Sequence, residues 1–579
     1  MTATTHWIAT ATGQAVLERG GNAFDAATAA AFVLHVVEPH LNGPGGDMTG
    51  VFVTADAPSE PIVLMGQGPA PSAATPEHFA AEGLDLIPGA GALAAAVPGA
   101  VDAWLLLLRD HGTWELESVL TFAIDYARSG HPLLERVSLT IGSVADLFTV
   151  HWPTSRERWM PNGRVPAAGE VVTNEAHATT LDRLVEAGDA LPAESSREQR
   201  IDAARAAWSS GFVAEAVDAF VREPHRHSSG TDHAGVITAH DMAAFSAGFE
   251  PALTSQFRGY TIAKTGPWGQ GPVLLQMLAI LDGFDDERLD PSTALGAHTI
   301  LEAEKLAMAD REAYYGDGVV PIDALLSADY SAERRALIGD TASLEVRPGR
   351  VPGFEPVMPH LREESAEAAA AGVGEPTVSS VGETRGDTCH IDVVDRWGNM
   401  VSATPSGGWL QSSPTIPSLG FCLGSRLQMS WLESGLASSL VAGKRPRTTL
   451  TPTLVLRDGV AVSALGSPGG DQQDQWQLLY LLRTLVGGYT PQQAIDAPAF
   501  HTTSFAGSFW PRTWTPGGAV VEDRLGDELI AELEARGHRV TRAGGWALGR
   551  LSSVSHDPKT GVLSAAANSR GAQGYAAGR

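Results

Sequence analysis

The chain is poor in cysteine, in basic residues and in long apolar runs. Its 579 residues contain only two cysteines, Cys389 and Cys422, which excludes the disulfide framework that stabilises small secreted domains. We expect both thiols to be buried as small hydrophobic groups. Lysine and arginine total 40 against 67 acidic residues, so the formal net charge is −27. A surface this acidic repels phosphate backbones and argues against a nucleic-acid partner.

No apolar stretch is long enough to span a bilayer, because the longest candidate, AAAFVLHVV at residues 29–37, is short and broken by a histidine. The first residues, MTATTHWIATATGQ, lack a basic region followed by an apolar core. The sequence therefore predicts a cytoplasmic protein without a membrane partner. Metal-ligand spacings and the Lys-Ser/Thr pair of a phosphate-binding loop are missing, so we expect neither a metal nor a cofactor.

The first part of the chain has mainly helical patterns. One helix is predicted to end at Gly20-Gly21, and a second to begin after Asn22. LNGPGGDMTGVFV at residues 41–53 predicts a glycine-rich turn that leads into a strand, with its backbone close to another element or a ligand. Residues 75–345 are expected to be mostly helices and loops, with clear helices in AVPGAVDAWLLLLRDHG and PWGQGPVLLQMLAILDGF.

The pattern changes at a segment without hydrophobic periodicity, residues 365–387, which predicts a flexible exposed linker. A strand is predicted to start directly after it, at Thr388, and HIDVVD and MVSAT form a hairpin around RWGN. TPTLVLRDG and VAVSALG predict a second hairpin, followed by SPGGDQQ and a helix. Strands and helices in this order predict stacked sheets covered by helices.

Thr388 stands where the predicted linker meets the predicted strand. A threonine hydroxyl is a poor nucleophile at neutral pH and needs a base within hydrogen-bond reach. An N-terminal threonine carries its own base, the α-amino group, whose pKa is about 8. A cut between Asp387 and Thr388 would release that amine, so the linker and the strand together indicate a self-activated nucleophile.

The motifs ERGGNAFDAATAAAF, VVEPHLNGPGG, VPGAVDAW, DTCHIDVVDRWGNMVSAT, TPTLVLRDG, GSPGG and Ser569-Arg570-Gly571 together resemble the γ-glutamyltransferase family of N-terminal nucleophile hydrolases. The resemblance covers nearly the whole chain. It implies an α+β fold, a four-layer αββα sandwich with a large helical portion. It also implies self-cleavage into a large subunit, 1–387, and a small subunit, 388–579, which remain together as a heterodimer and leave further dimerisation open.

The resemblance further implies an amide hydrolase or acyltransferase that acts on a small-molecule amide, with water or an amine as acceptor. Its catalytic roles fall on Thr388 as nucleophile, on Ser406 as a second hydroxyl, and on the backbone N–H groups of Gly469 and Gly470 as the oxyanion hole. Thr448 and Thr449 would bind the α-carboxylate of the substrate.

Several positions depart from the family pattern. Gly66 stands where glutamyl-specific members have a carboxylate-binding arginine, and Met429 where they have the acid that binds the α-ammonium. Gly408 replaces an asparagine. Arg426 adds a cation one turn before Met429, and Trp409 offers an apolar wall. We therefore predict a poor γ-glutamyltransferase whose substrate lacks a free α-ammonium and carries a carboxylate that Arg426 binds.

Alternatives remain open at this point. His390 is interpreted as a packed or hydrogen-bonded strand histidine, and Asp471 and Asp474 as a solvated helix start rather than substrate ligands. Three other functions compete: true γ-glutamyl or glutathione turnover by a rearranged pocket, a biosynthetic enzyme that uses the same threonine on an unusual bond such as C–C, and an unprocessed binding or scaffold protein.

Overall fold

Two stacked antiparallel sheets form the centre of the computed structural model, which describes residues 1–363, 388–570 and 574–578. In spatial order, the seven-stranded sheet contains Tyr575–Ala577, Thr2–Thr4, Ile391–Val394, Met400–Ser406, Asp47–Thr54, Ala57–Gly66 and Gly248–Pro251. The six-stranded sheet contains Leu563–Ala567, Ser552–His556, Val460–Gly466, Thr453–Arg457, Tyr260–Lys264 and Leu253–Phe257.

Alternation along the strands decides which side chains lie between the sheets. Val51 and Val53 point into the space between the sheets, whereas Phe52 packs on the helices outside. Leu454 of the second sheet points inward in the same way, and Val455 points outward. Successive strand residues face opposite sides, so each sheet buries both of its faces.

Helices cover both outer faces. Against the seven-stranded sheet lie Trp7–Glu18, Ala23–Val37, Ala100–His111, Leu116–Ser129, Glu175–Asp189, Arg197–Ser209, Phe212–Val221 and Ala239–Ala244. Against the six-stranded sheet lie Pro272–Leu281, Ala294–Tyr314, Ile322–Leu325, Ala328–Arg335, Gln473–Leu481, Pro491–Asp496 and Asp527–Ala535. The predicted α+β fold, a four-layer αββα sandwich, is confirmed.

Smaller elements surround this sandwich. The remaining helices are Pro76–Ala81, Glu135–Ser143, Ala145–Val150 and Pro153–Trp159, with single turns at Ala92–Ala94, Asp286–Leu289, Arg426–Met429, Gly470–Gln472, Leu482–Val486 and Asp523–Leu525. Three two-stranded sheets pair His131–Pro132 with Val171–Val172, His225–Arg226 with Asp232–His233, and Arg362–Glu363 with Thr513–Trp514. In a three-stranded sheet, Gly518–Val521 lies between Phe500–Thr502 and Arg539–Arg542.

The predicted first helix pair is confirmed: the helices Trp7–Glu18 and Ala23–Val37 flank the Gly20-Gly21 turn. The Asn22 side chain accepts hydrogen bonds from the N–H groups at the start of the second helix, which satisfies donors that a helix start leaves free. The expectation of mainly helix and loop over 75–345 misses three strands between residues 248 and 264. Two of them, Gly248–Pro251 and Leu253–Phe257, are short edge strands with many half-exposed residues, so their apolar alternation is weak.

Both sides of the predicted cut contribute to the same sheets. Thr2–Thr4 lies between Ile391–Val394 and Tyr575–Ala577 and forms antiparallel pairs with both. Fragments cut before Thr388 would therefore stay interlocked through their backbone hydrogen bonds. The predicted linker, 365–387, lies outside the described residues. Within the described parts of the chain, no helix combines the length and the apolar character needed to cross a membrane.

Candidate active site

Thr388 lies at the open end of the hairpin formed by Ile391–Val394 and Met400–Ser406. It is buried and makes an isolated antiparallel bridge to Ser406, and its Oγ1 lies 3.3 Å from Ser406 Oγ. The regular strand begins at Ile391, so the predicted strand start at Thr388 is wrong by three residues. Cys389 N donates to Pro405 O, but a proline has no N–H to return, which interrupts the ladder at this end.

His390 is buried, as interpreted from the sequence, and is hydrogen-bonded within its own sheet. Its Nδ1 lies 3.0 Å from Thr404 Oγ1 and its Nε2 lies 2.8 Å from an Asp392 carboxylate oxygen. The ring also packs on Gly466, where a Cβ atom would stand 2.2 Å from His390 Cε1. Only glycine permits this approach, which brings the end of the strand Val460–Gly466 next to the hairpin that ends at Thr388.

Gly469 and Gly470 follow three residues after this contact. Both have positive φ, +126° and +53°, and a Cβ on Gly469 would stand 2.3 Å from the Trp476 ring. Glycine is therefore required at Gly469 by both backbone and space. The positive φ at both glycines makes a tight turn beside the hairpin that ends at Thr388, and the oxyanion hole at these two residues stays a prediction.

Asp471 and Asp474 do not form a solvated helix start, so that interpretation is wrong. Both are buried: Asp471 pairs with Arg311, and Asp474 Oδ1 lies 3.0 Å from Lys264 Nζ. Burial raises the pKa of Asp474, although Lys264 opposes the shift. The partner cations come from distant parts of the chain, which local sequence patterns do not reveal.

The glycine turn after the second helix lies directly against the residues that follow Ser406. A Cβ on Gly46 would stand 2.1 Å from Ser406 O, and one on Gly408 would stand 2.8 Å from Gly46 N. Gly407 and Gly408 both have positive φ, +73° and +66°. The expected close approach of this turn to another element is confirmed. It also leaves no room at Gly408 for the asparagine side chain that the resemblance led us to expect there.

An ion pair that the sequence did not reveal stands beside Ser406. Asp47 pairs with Ser406 in the strand register, and Arg426 Nη2 lies 2.7 Å from Asp47 Oδ1, with both side chains buried. Burial raises the pKa of Asp47, although Arg426 opposes the shift. Among the described residues, Asp47 Oδ2 and Arg426 Nε have no hydrogen-bond partner. The only sequence signal for Asp47 is its place directly after the glycine turn.

Three apolar side chains, Trp409, Met429 and Phe509, form a small buried cluster that we call the apolar wall. Trp409 Nε1 donates to Leu41 O at 2.7 Å, which fixes the indole. Met429 Sδ lies 3.5 Å from Arg426 Nη1, so the apolar wall borders the ion pair. Trp409 and Met429 were expected near the substrate, whereas Phe509, from a loop 100 residues beyond Trp409, was missed.

Gly66, which the resemblance places where glutamyl-specific members have an arginine, has no room for a larger side chain. It ends the strand Ala57–Gly66, and a Cβ there would stand 2.6 Å from Ala103 Cβ. Thr448 and Thr449 are buried, and Thr448 O accepts from Gln270 N at 2.8 Å. Among the described residues, Thr449 Oγ1 has no partner. Carboxylate binding by the two threonines stays a prediction.

Both cysteines are buried, as expected. Cys389 is not a purely apolar group, because its Sγ lies 3.0 Å from Glu38 Oε2. Burial and the adjacent Glu38 carboxyl raise the pKa of Cys389 well above its usual range. The thiol next to Thr388 is therefore protonated and unsuited to act as a competing nucleophile.

One group of side chains has metal-ligand geometry in the described residues: His298, Glu302 and His538, with ligand atoms within 4.8 Å of one another. Glu302 is already paired with Lys305 Nζ at 2.7 Å and with Arg347 Nη2 at 3.0 Å. The two cations already paired with this carboxylate would repel a metal ion, so we assign no metal to this group.

A family model described as Gamma-glutamyltranspeptidase matches residues 9–578. The glutathione hydrolase proenzyme of Bacillus subtilis subsp. natto is 27% identical over 97% of this chain and 89% of its own length. The oxamate amidohydrolase proenzyme of Klebsiella pneumoniae subsp. pneumoniae is 28% identical over 99% of this chain and 97% of its own length. The solved structure of LmbA2991HD is 51% identical, with a TM-score of 0.94 over 100% of this chain and 98% of its own. Cephalosporin acylase from Bacillus halodurans is 27% identical, with a TM-score of 0.81 over 99% and 94%.

Proposed function

Because the chain belongs to the gamma-glutamyltranspeptidase family, in which it is an enzyme of the γ-glutamyltransferase-like type, we propose that it is a self-processing amide hydrolase or acyltransferase with Thr388 as its nucleophile. The observation that carries the proposal is the buried Thr388 hydroxyl, 3.3 Å from Ser406 Oγ. It lies at the end of a hairpin that packs against the strand leading to Gly469 and Gly470.

Processing would begin when Thr388 Oγ attacks the carbonyl carbon of Asp387. The acyl group moves from nitrogen to oxygen, and water hydrolyses the resulting ester. The products are the carboxylate of Asp387 and the free α-amine of Thr388, in a large subunit 1–387 and a small subunit 388–579. The shared sheet keeps the two fragments together.

In turnover, the Thr388 amine accepts the hydroxyl proton while Oγ attacks the amide carbonyl of the substrate. The N–H groups of Gly469 and Gly470 stabilise the oxyanion, and one such donor lowers the barrier by about 3 kcal/mol. The amine then returns its proton to the leaving nitrogen, and the amide C–N bond breaks. Water or an amine acceptor cleaves the acyl-enzyme ester and restores Thr388.

The head-group subsite is formed by the ion pair Asp47–Arg426, by the apolar wall and by Thr448 and Thr449. A substrate carboxylate would have to share the Arg426 guanidinium with Asp47, and the unpartnered Nε is a donor that it could use. Met429 offers no charge. These features support a small acyl amide that has a carboxylate and lacks an α-ammonium, such as a glutaryl or shorter dicarboxylic amide.

A second candidate function, γ-glutamyl turnover, is favoured by one observation. Asp47 Oδ2 is a buried carboxylate oxygen without a partner among the described residues, and Asp47 pairs with Ser406 in the strand register. It could receive the α-ammonium that Met429 cannot bind. Glutaryl-4-nitroanilide and γ-glutamyl-4-nitroanilide differ only in that ammonium, so their relative turnover separates the two candidates.

The nucleophile is tested with Thr388→Ala, compared with Thr2→Val as a matched control in the same sheet. Within the described parts of the chain, Thr2 Oγ1 is buried and has no partner, so its removal should be neutral for stability. We expect Thr388→Ala to remain one chain of 60.7 kDa without turnover of either anilide, and Thr2→Val to process and react like the parent. Turnover by Thr388→Ala at the rate of the control would contradict the proposal.

A further inference from the structure

Arg311 lies near the end of the buried helix Ala294–Tyr314 and reaches the turn that carries the oxyanion glycines. Its side chain is fully buried, and its Nη1 pairs with Asp471, the residue directly after Gly470. Asp471 belongs to the single turn Gly470–Gln472. Because the guanidinium is planar and its Nη1 pairs with Asp471, it fixes where this turn stands relative to the helix layer.

The same guanidinium holds the loop that carries Phe509. Arg311 Nη2 donates to Ala506 O at 3.0 Å. The Asp471 carboxylate, on its other side, accepts from Ser508 N at 2.8 Å and from Ser508 Oγ at 2.6 Å. One arginine therefore connects the turn that carries Gly469 and Gly470, which we call the oxyanion turn, with the apolar wall.

Glu312, the next residue, reaches a different part of the site. Its Oε2 accepts from Arg447 Nη2 at 2.7 Å and its Oε1 from Trp431 Nε1 at 2.6 Å. Arg447 directly precedes Thr448. Burial alone would raise the pKa of Glu312, but the guanidinium groups around it, that of Arg447 foremost, lower it to about 2. The carboxylate is therefore charged throughout the working pH range. Through Arg447 it holds Thr448 and Thr449, which we call the threonine segment, in place.

Gln270 joins the two halves of this network. Its side-chain oxygen accepts from Arg311 Nη1 at 2.6 Å, and its backbone N donates to Thr448 O at 2.8 Å. The oxyanion turn and the threonine segment are thus held by adjacent residues of one helix, although they lie in different loops of the small subunit.

We propose that Arg311 and Glu312 are positioning residues with separate tasks. This inference rests on the proposed function, in which the glycines act on the transition state and the threonines bind the substrate carboxylate. Arg311 sets the placement of the oxyanion donors, so its loss should lower kcat. Glu312 sets the placement of Thr448 and Thr449, so its loss should raise KM, because that contact already exists in the ground state.

The test measures kcat and KM of processed variants with glutaryl-4-nitroanilide as the probe. We expect Arg311→Met to lower kcat about 10- to 100-fold with KM within about threefold, somewhat less than the loss of a whole oxyanion donor. Glu312→Gln should raise KM about tenfold with kcat within about threefold. If Arg311→Met does not fold, Asp471→Asn carries the test, because it keeps the shape and one acceptor oxygen for Ser508 and removes the charge that Arg311 binds.

Lys305→Met is the matched control, on the same helix. Lys305 is equally buried, but it bonds Glu302 at 2.7 Å and Ser343 O at 3.1 Å, none of which belongs to the site. Lys305→Met should lower the melting temperature about as much as Arg311→Met does. It should leave kcat and KM within about twofold of the parent, since distant sites act independently. The double variant Arg311→Met/Asp471→Asn should lose no more kcat than either single change.

Values of kcat for Arg311→Met and Asp471→Asn that match the Lys305→Met control would overturn the inference. So would a Glu312→Gln variant that loses kcat at unchanged KM. Full turnover by Thr388→Ala would instead overturn the proposed function, so the two failures are distinguishable in the same series.

Discussion

Discrimination between substrate head groups gives the most informative prediction, because the structure sets the size of the expected difference in kcat/KM. A γ-glutamyl group needs a cation for its carboxylate and an anion for its ammonium. Gly66 supplies no cation and has no room for one, since a Cβ would stand 2.6 Å from Ala103 Cβ. Met429, at the position expected for the anion, is fully buried in the apolar wall.

Each missing charge-assisted contact should cost about 1.5–3 kcal/mol. Two such losses correspond to a decrease in kcat/KM of roughly a hundredfold to ten-thousandfold relative to a well-matched head group. Arg426 replaces part of the missing contact to the substrate carboxylate, but its Nη2 already lies 2.7 Å from Asp47 Oδ1. We therefore expect γ-glutamyl-4-nitroanilide to be turned over at well below about 10⁴ M⁻¹s⁻¹, and glutaryl-4-nitroanilide to be preferred at least about tenfold, the value of one charged contact.

The assay is the ratio of kcat/KM for the two anilides, measured for the processed parent enzyme and for Asp47→Asn. The ratio cancels any general damage from unpairing Arg426, because both substrates suffer it equally. If Asp47 plays no part in ammonium binding, the ratio stays constant. Preference for the γ-glutamyl anilide in the parent, lost in Asp47→Asn, would refute the reasoning and show that Asp47 replaces the missing acid.

Three further changes have defined outcomes. Burial raises the pKa of Glu304 well above its usual range. This residue's contribution to stability is therefore full below the unfolded pKa near 4.5 and is lost as pH rises, because the unfolded chain then releases a proton that the folded chain keeps. Glu304→Gln removes this loss, so it should raise the unfolding free energy more at pH 8 than at pH 5 in urea titrations. Gly408→Asn should lower it by about 1–3 kcal/mol without improving γ-glutamyl turnover, since a Cβ there would stand 2.8 Å from Gly46 N. Trp409→Phe loses the bond to Leu41 O and should cost about 1 kcal/mol in the same titrations, with KM for glutaryl-4-nitroanilide kept within about threefold because the ring remains.

Local patterns were sufficient for much of the fold. Helix starts such as Asn22 and the alternation in the strands around Asp458-Gly459 depend on neighbours in sequence, and the structure has these elements where they were expected. The edge strands near residue 250 were missed because half-exposed strands have little apolar alternation.

The site divides in the same way. Thr388 Oγ1 lies 3.3 Å from Ser406 Oγ, and the strand that leads to Gly469 and Gly470 packs on the same hairpin; the catalytic roles of these residues stay predictions. The charges are what sequence reading misjudged: Asp471 looked solvated, and Arg426 looked like a free cation. Their partners, Arg311 and Asp47, are 160 and 379 positions away in the sequence, and only the folded topology brings such partners together.

The most direct measurement of the central claim is peptide mass analysis of the smaller fragment of purified enzyme after brief reaction with glutaryl-4-nitroanilide and acid quench. The account predicts that the fragment begins Thr-Cys-His-Ile, and that its first residue, Thr388, carries the glutaryl group as an acid-stable ester. Thr388→Ser should process and become acylated at the same position, because a hydroxyl remains. A fragment that begins elsewhere, or an acyl group found on any other residue of an active enzyme, would contradict the account.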